Sequence, residues 1–301
     1  MMRFQSPRPW AAEFQDLIRA ASGGLLFGVP MLYTMEVWWV GSTAGPIRLY
    51  AVLGLSFIPI FLLHRTSGFR STKDVKFLDA MMDTVDAVAI SMVCVTGILI
   101  VLRELTSTTP LGEALGKILY EGLPFSVGVG LASHFLIDEG GDEGGEDGGR
   151  VTVDERKGND TVTEKTERNM SASLSDTGAT LIGALVVAFS IAPTDEVPLL
   201  ASAINARWLI ALVAVSLVVS YAIVFEAGFT SQKQRHEHQG LFQAPVPETV
   251  VSYLLSLVAA YTMLWFFDRI SPDEPWFATL THVVVLGFPA AIGGAAGRLA
   301  A

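Results

Sequence analysis

Apolar residues gather in eight stretches along the chain, at 17–41, 47–64, 83–102, 114–137, 177–193, 205–227, 248–267 and 276–298. A helix needs roughly 20 mostly apolar residues to cross a bilayer core. The fifth stretch is the shortest and ends at Pro193. Within lipid each segment must satisfy its own backbone polar groups, which favours helices. The pattern therefore predicts an all-α polytopic membrane protein with eight transmembrane helices. The first stretch is long, carries Glu36 and has no small-residue cleavage site after it, so a cleaved signal is not expected. Residues 1–16 read as a cytoplasmic or interfacial segment, with Phe4, Trp10 and Phe14 towards lipid beside Arg3 and Arg8.

Composition supports this reading. Charged residues make up 17% of the chain and apolar ones 51%, with a mean hydropathy of +0.47. A soluble domain carries about 25% charged residues, so an ordinary soluble enzyme is not expected. The net charge of −10 argues against a nucleic-acid partner. Cys94 is the single cysteine, which excludes a disulfide framework.

Counting Lys and Arg gives an orientation. Fifteen of the 20 fall on the side holding the N-terminus, the 2–3 and 6–7 loops and the central linker. That side is expected to be cytoplasmic, with both termini inside a cell membrane. Trp38 and Trp39 then end the first span at the outer interface.

Two long segments of the chain resemble each other. Residues 22–69 align with 182–229 at an offset of 160, and 77–132 with 242–297 at an offset of 165. The shared positions include Gly23/Gly183, Thr34/Thr194, Glu36/Glu196, Val37/Val197, Gly122/Gly287 and Pro124/Pro289. Each half holds four spans, so both enter from the same side. The expected fold is two parallel four-helix repeats, 17–137 and 176–301, related by an axis along the membrane normal. Between them, 138–175 carries three acid-acid-Gly-Gly units from Asp138 to Gly149 and reads as a disordered cytoplasmic linker.

Ionisable residues inside spans are costly and mark candidate sites. Glu36, Glu121 and Glu196 fall in the outer half, Glu121 about 10 Å into the fourth span at 1.5 Å per residue. A twofold relation could bring Glu36 and Glu196 together. Each is also explained as an interfacial acid paired with Arg48 or Arg207, and Glu121 as a partner of Lys117 one turn away. Lys117 and His282 are counterparts that could serve a proton relay or plain charge balance. Asp83, Asp86 and Glu248 lie near the inner ends of their spans, where they could line an inner mouth or simply favour a helix N-terminus. His236-Glu237-His238 reads as a solvated loop.

The proline motifs Gly28-Val29-Pro30, Gly122-Leu123-Pro124 and Gly287-Phe288-Pro289 lie within spans. Pro124 frees the Tyr120 carbonyl and Pro289 that of Val285, because proline lacks the N–H that would bond four residues back. Such carbonyls suit either a hard cation or a packing kink. No metalloprotease, P-loop, nucleophile-elbow or dinucleotide signature is present, so neither an enzyme nor a bound cofactor is expected.

The run Leu25-Leu26-Phe27-Gly28-Val29-Pro30-Met31-Leu32-Tyr33-Thr34-Met35-Glu36-Val37-Trp38-Trp39, with Asp83-Thr84-Val85-Asp86 and Glu121-Gly122-Leu123-Pro124, resembles a prokaryotic family of integral membrane proteins, domain of unknown function 2391. The resemblance covers both halves and implies a membrane location without a mechanism. Two functions fit the residues. One is a transporter or channel for a small ion, most simply a cation, with the six carboxylates along the path. The other is a non-transporting scaffold, sensor or accessory subunit that docks partners through the acidic linker.

Overall fold

The computed structural model describes residues 9–66, 77–139, 161–227, 245–271 and 273–300. Expectations for residues 1–8, for 140–160 of the linker and for the loop holding His236, Glu237 and His238 lie outside the described residues. The described chain is helical, with no strand: α1 Pro9–Leu32, α2 Met35–Thr43, α3 Pro46–Thr66, α4 Phe77–Val101, α5 Leu111–Glu139, α6 Thr161–Ile191, α7 Glu196–Ala203 and α8 Ala206–Tyr221. One π turn, Ala222–Glu226, continues α8, and α9 Pro245–Phe266 and α10 Trp276–Ala300 complete the order. α5 runs to Glu139 and α6 starts at Thr161, so both ends of the expected linker are helical.

Five helices are long and apolar enough to cross a membrane, or seven crossings if each of two bent pairs is one. The bent pairs are the departure from the expected spans. The stretch 17–41 is not one helix: α1 ends at Leu32 and α2 leaves at 92°. The α6–α7 pair bends by 91° in the same way. Apolar residues continue through the first break, so hydropathy carries no sign of that turn; the second falls at Pro193-Thr194-Asp195, where the expected fifth span ends and Pro193 cannot donate to the α6 ladder. The fourth expected span falls on α5, which is continuous but more polar than the five.

α5 packs against α1, α2, α3 and α4, and α10 packs against α6, α7, α8 and α9, so each is the centre of its half. Glycine permits the closest crossings. A Cβ on Gly23 or Gly128 would overlap the facing helix, and the same holds for Gly183 and Gly293.

Contact between the halves is one-sided. α1 meets the π turn and α10, and α4 meets α8. Among the described residues the reciprocal faces, α6 with α5 and α9 with α3, have no comparable packing, so this interface does not follow the expected twofold axis. The residues explain why. Ser22 and Val29 on α1 are 1% and 0% exposed, whereas Ile182 and Phe189, 160 positions on, are 65% and 56% exposed. Large apolar side chains on that face of α6 suit lipid, and the small ones on α1 suit helix contact.

Candidate functional site

Three ionisable residues share one face of α5. Glu113, Lys117 and Glu121 succeed one another at four-residue spacing, which stacks them on a helix. After α4 the chain turns through Arg103, at φ 67°, and delivers Glu104 beside them. The Lys117 ammonium lies 3.1 Å from Glu104 Oε2 and 3.0 Å from Glu113 Oε1, and it also donates to the Glu104 carbonyl at 3.3 Å. Lys117 is therefore committed to these two acids and does not pair with Glu121.

Glu121 is wholly buried. The Trp38 indole faces it from α2, yet neither carboxyl oxygen nor the indole N–H completes a hydrogen bond of normal geometry. α2 lies against α5 here, with Gly41 pressed on the backbone of Gly116 and Lys117. Trp38, 1% exposed, thus sits between α2 and the carboxyl group. A buried carboxyl without a partner is costly to ionise and stable as the neutral acid or with a bound cation.

The other acids part company. Glu196 is 5% exposed, and its Oε1 accepts from the Met35 N–H at 3.3 Å, while its Oε2 has no partner. It reaches the first turn of α2, where Glu36 is exposed. The two acids do not form a pair, nor does an ion pair join either one to Arg48 or Arg207, both exposed. Asp83 and Asp86 are exposed on α4, whereas Glu248 bonds Arg298, which also donates to Ser252 at 3.1 Å. The expected inner mouth of Asp83, Asp86 and Glu248 is therefore not assembled by these side chains. His282 lies 3.6 Å from Glu274 in the second half and does not meet Lys117.

The proline motifs also differ from one another. Val285 O, freed by Pro289, accepts from the Tyr33 hydroxyl at 2.7 Å. Gly122 and Gly287 are packing positions, filled by Met92 and Leu257 where a Cβ would stand, and Gly28 makes room for the Phe125 ring. Pro30 lies two residues before the end of α1. Tyr33, Glu104, Glu113 and Arg298 were not among the sequence candidates. The spacing of Glu113 and Lys117 was a readable signal; the long-range contacts of Tyr33 and Arg298 left none. No group of three or more His, Cys, Asp or Glu side chains fit to hold a metal occurs among the described residues.

The chain matches, over residues 16–301, the family described as putative integral membrane protein (DUF2391). It belongs to that family. The resemblance read from the first span is thereby borne out across nearly the whole chain, and so is the membrane location. No curated protein and no solved structure matches the chain.

Proposed function

We propose that this membrane protein carries a proton or a small cation across the bilayer and that Glu121 is the group that binds it. One observation carries the reading: a carboxyl group wholly buried on a long helix, with neither oxygen hydrogen-bonded. Structural acids inside membranes find partners, and an acid without one is a functional candidate. The Tyr120 carbonyl freed by Pro124 lies one residue away on the same helix and adds a second oxygen. Glu104, Lys117 and Glu113 form a partly exposed ionic group one to two turns from it, through which an ion could reach Glu121.

The architecture in this proposal is a pair of related four-helix halves. Counting α5 with the five long helices and the two bent pairs gives eight crossings. The pairing is supported by α3 and α8, which start at Pro46 and Ala206, and by α5 and α10, which start at Leu111 and Trp276. It is supported too by the left-handed residues Arg103 and Asp268, which stand at the same offset as α5 and α10. Broken helices such as α1–α2 and α6–α7 are a recurrent element of ion and substrate sites in transporters. The lysine and arginine count makes the termini cytoplasmic.

The test is flux into proteoliposomes of the purified chain, screening H⁺, Na⁺, K⁺ and Ca²⁺. The expected result is flux of one species above protein-free vesicles, lost in Glu121→Gln. No flux from folded protein would overturn the proposal and favour the scaffold or sensor.

A further inference from the structure

The break between α1 and α2 is held from the other half of the molecule. At its start the Tyr33 hydroxyl donates to Val285 O at 2.7 Å, and at its end the Met35 N–H donates to Glu196 Oε1 at 3.3 Å. Both contacts join groups that a helix end or a kink leaves without partners. Met35 opens α2, where first-turn N–H groups have no bond within the helix, and the preceding Thr34 side chain makes no cap. Val285 O is the carbonyl that Pro289 frees in α10.

The second break is held differently. Tyr33 and Pro193 stand 160 positions apart, and Pro193 has no hydroxyl to give. Arg269, from the same half, bonds the Pro193 carbonyl and lies 2.8 Å from Asp195 Oδ1. The Pro193 end of the α6–α7 break is thus tied within its own half, whereas two side-chain hydrogen bonds, one of them to Glu196 at the start of α7, tie the α1–α2 break to the opposite half.

Beyond the first break, α2 lies over the buried acid. Trp38 stands one turn past Met35, faces Glu121 and is almost wholly covered. We propose that Tyr33 and Glu196 are positioning residues that hold α2 closed over Glu121, so that the second half governs access to the carboxyl group of the first. The proposal rests on the reading of Glu121 as the binding group and names the device that regulates it. Release of either bond lets α2 lift at its Tyr33–Met35 end, withdraw Trp38 and open Glu121 to water.

The experiment measures how fast Glu121 in proteoliposomes is modified by a water-soluble carbodiimide with an amine nucleophile, read on the Glu121 peptide by mass spectrometry. Tyr33→Phe and Glu196→Ala are each expected to raise the rate about five-fold, the shift in an opening equilibrium that loss of one buried hydrogen bond produces. Glu196→Gln keeps an acceptor oxygen and is expected to stay close to wild type. Glu248→Gln breaks the ion pair with Arg298 near the end of α10, away from both breaks, and is expected to leave Glu121 labelling unchanged. Unchanged rates in Tyr33→Phe and Glu196→Ala, in protein that elutes as wild type does, would overturn the latch. An equal rise in Glu248→Gln would overturn it too, since general loosening then accounts for the effect. Labelling reports access whatever passes through, so flux independent of Glu121 would overturn the transport reading alone.

Discussion

The Tyr33 hydroxyl donates to the Val285 carbonyl at 2.7 Å, joining residues 252 positions apart in the sequence. The bond serves both halves. It pins the end of α1 at the point where the chain turns by 92°, and it satisfies a carbonyl that a helix-interior proline left open. Both groups are buried, so no bulk water replaces the bond when it is lost.

Tyr33→Phe is therefore expected to destabilise the protein by about 1–2 kcal/mol, the range for a hydrogen bond between membrane helices and for a buried acceptor left alone. Thermal unfolding in detergent, monitored by loss of the monodisperse elution peak, measures it. An unchanged midpoint would mean that Val285 O finds another donor.

Glu248 and Asp83 stand 165 positions apart, Glu248 in the first turn of α9 and Asp83 in the second turn of α4. Only Glu248 has a buried arginine against it, with Arg298 3% exposed and its guanidinium 5.8 Å from the Phe225 ring. Glu248→Gln is expected to cost about 3 kcal/mol, because a buried charge loses its counter-ion. Asp83→Asn, at an exposed position, is expected to change stability by less than about 0.5 kcal/mol. Equal effects in chemical or thermal unfolding would show that the ion pair is not what holds the α9–α10 end.

Helix content and membrane character were legible because both rest on local composition, and the carboxyl at Glu121 because an acid inside an apolar stretch stands out. The first break was not, since Tyr33-Thr34 carries no proline and its apolar neighbours continue on both sides, whereas the fifth expected span already ended at Pro193. Partner choice was not legible either. Lys117 has acids at four-residue spacing on both sides, Glu113 and Glu121, and only the turn at Arg103, which delivers Glu104, decides for the former. Glu36 and Glu196 stand 160 positions apart, but Glu196 is buried against the start of α2 and Glu36 is exposed.

Gly116 and Gly97 separate packing from propensity. A Cβ on Gly116 would run into the Gly41 carbonyl, so Gly116→Ala is expected to push α2 off α5 and to cost roughly 1–3 kcal/mol. Nothing lies within 4 Å of a Cβ on Gly97, in the interior of α4, and Gly97→Ala is expected to stabilise by up to about 1 kcal/mol. Paired unfolding curves check both, and a stabilising Gly116→Ala would contradict the close approach of α2 to α5.

Matched substitutions at Glu121 and Glu36 test most directly whether Glu121 is the working carboxyl. Proton and cation flux is measured side by side in proteoliposomes of wild type, Glu121→Gln and Glu36→Gln. Glu121 is buried without a hydrogen bond, and Glu36 is exposed on α2. The predicted result is flux in wild type and Glu36→Gln and none in Glu121→Gln, with all three eluting alike. Flux that survives Glu121→Gln and disappears in Glu36→Gln would contradict the role given to Glu121.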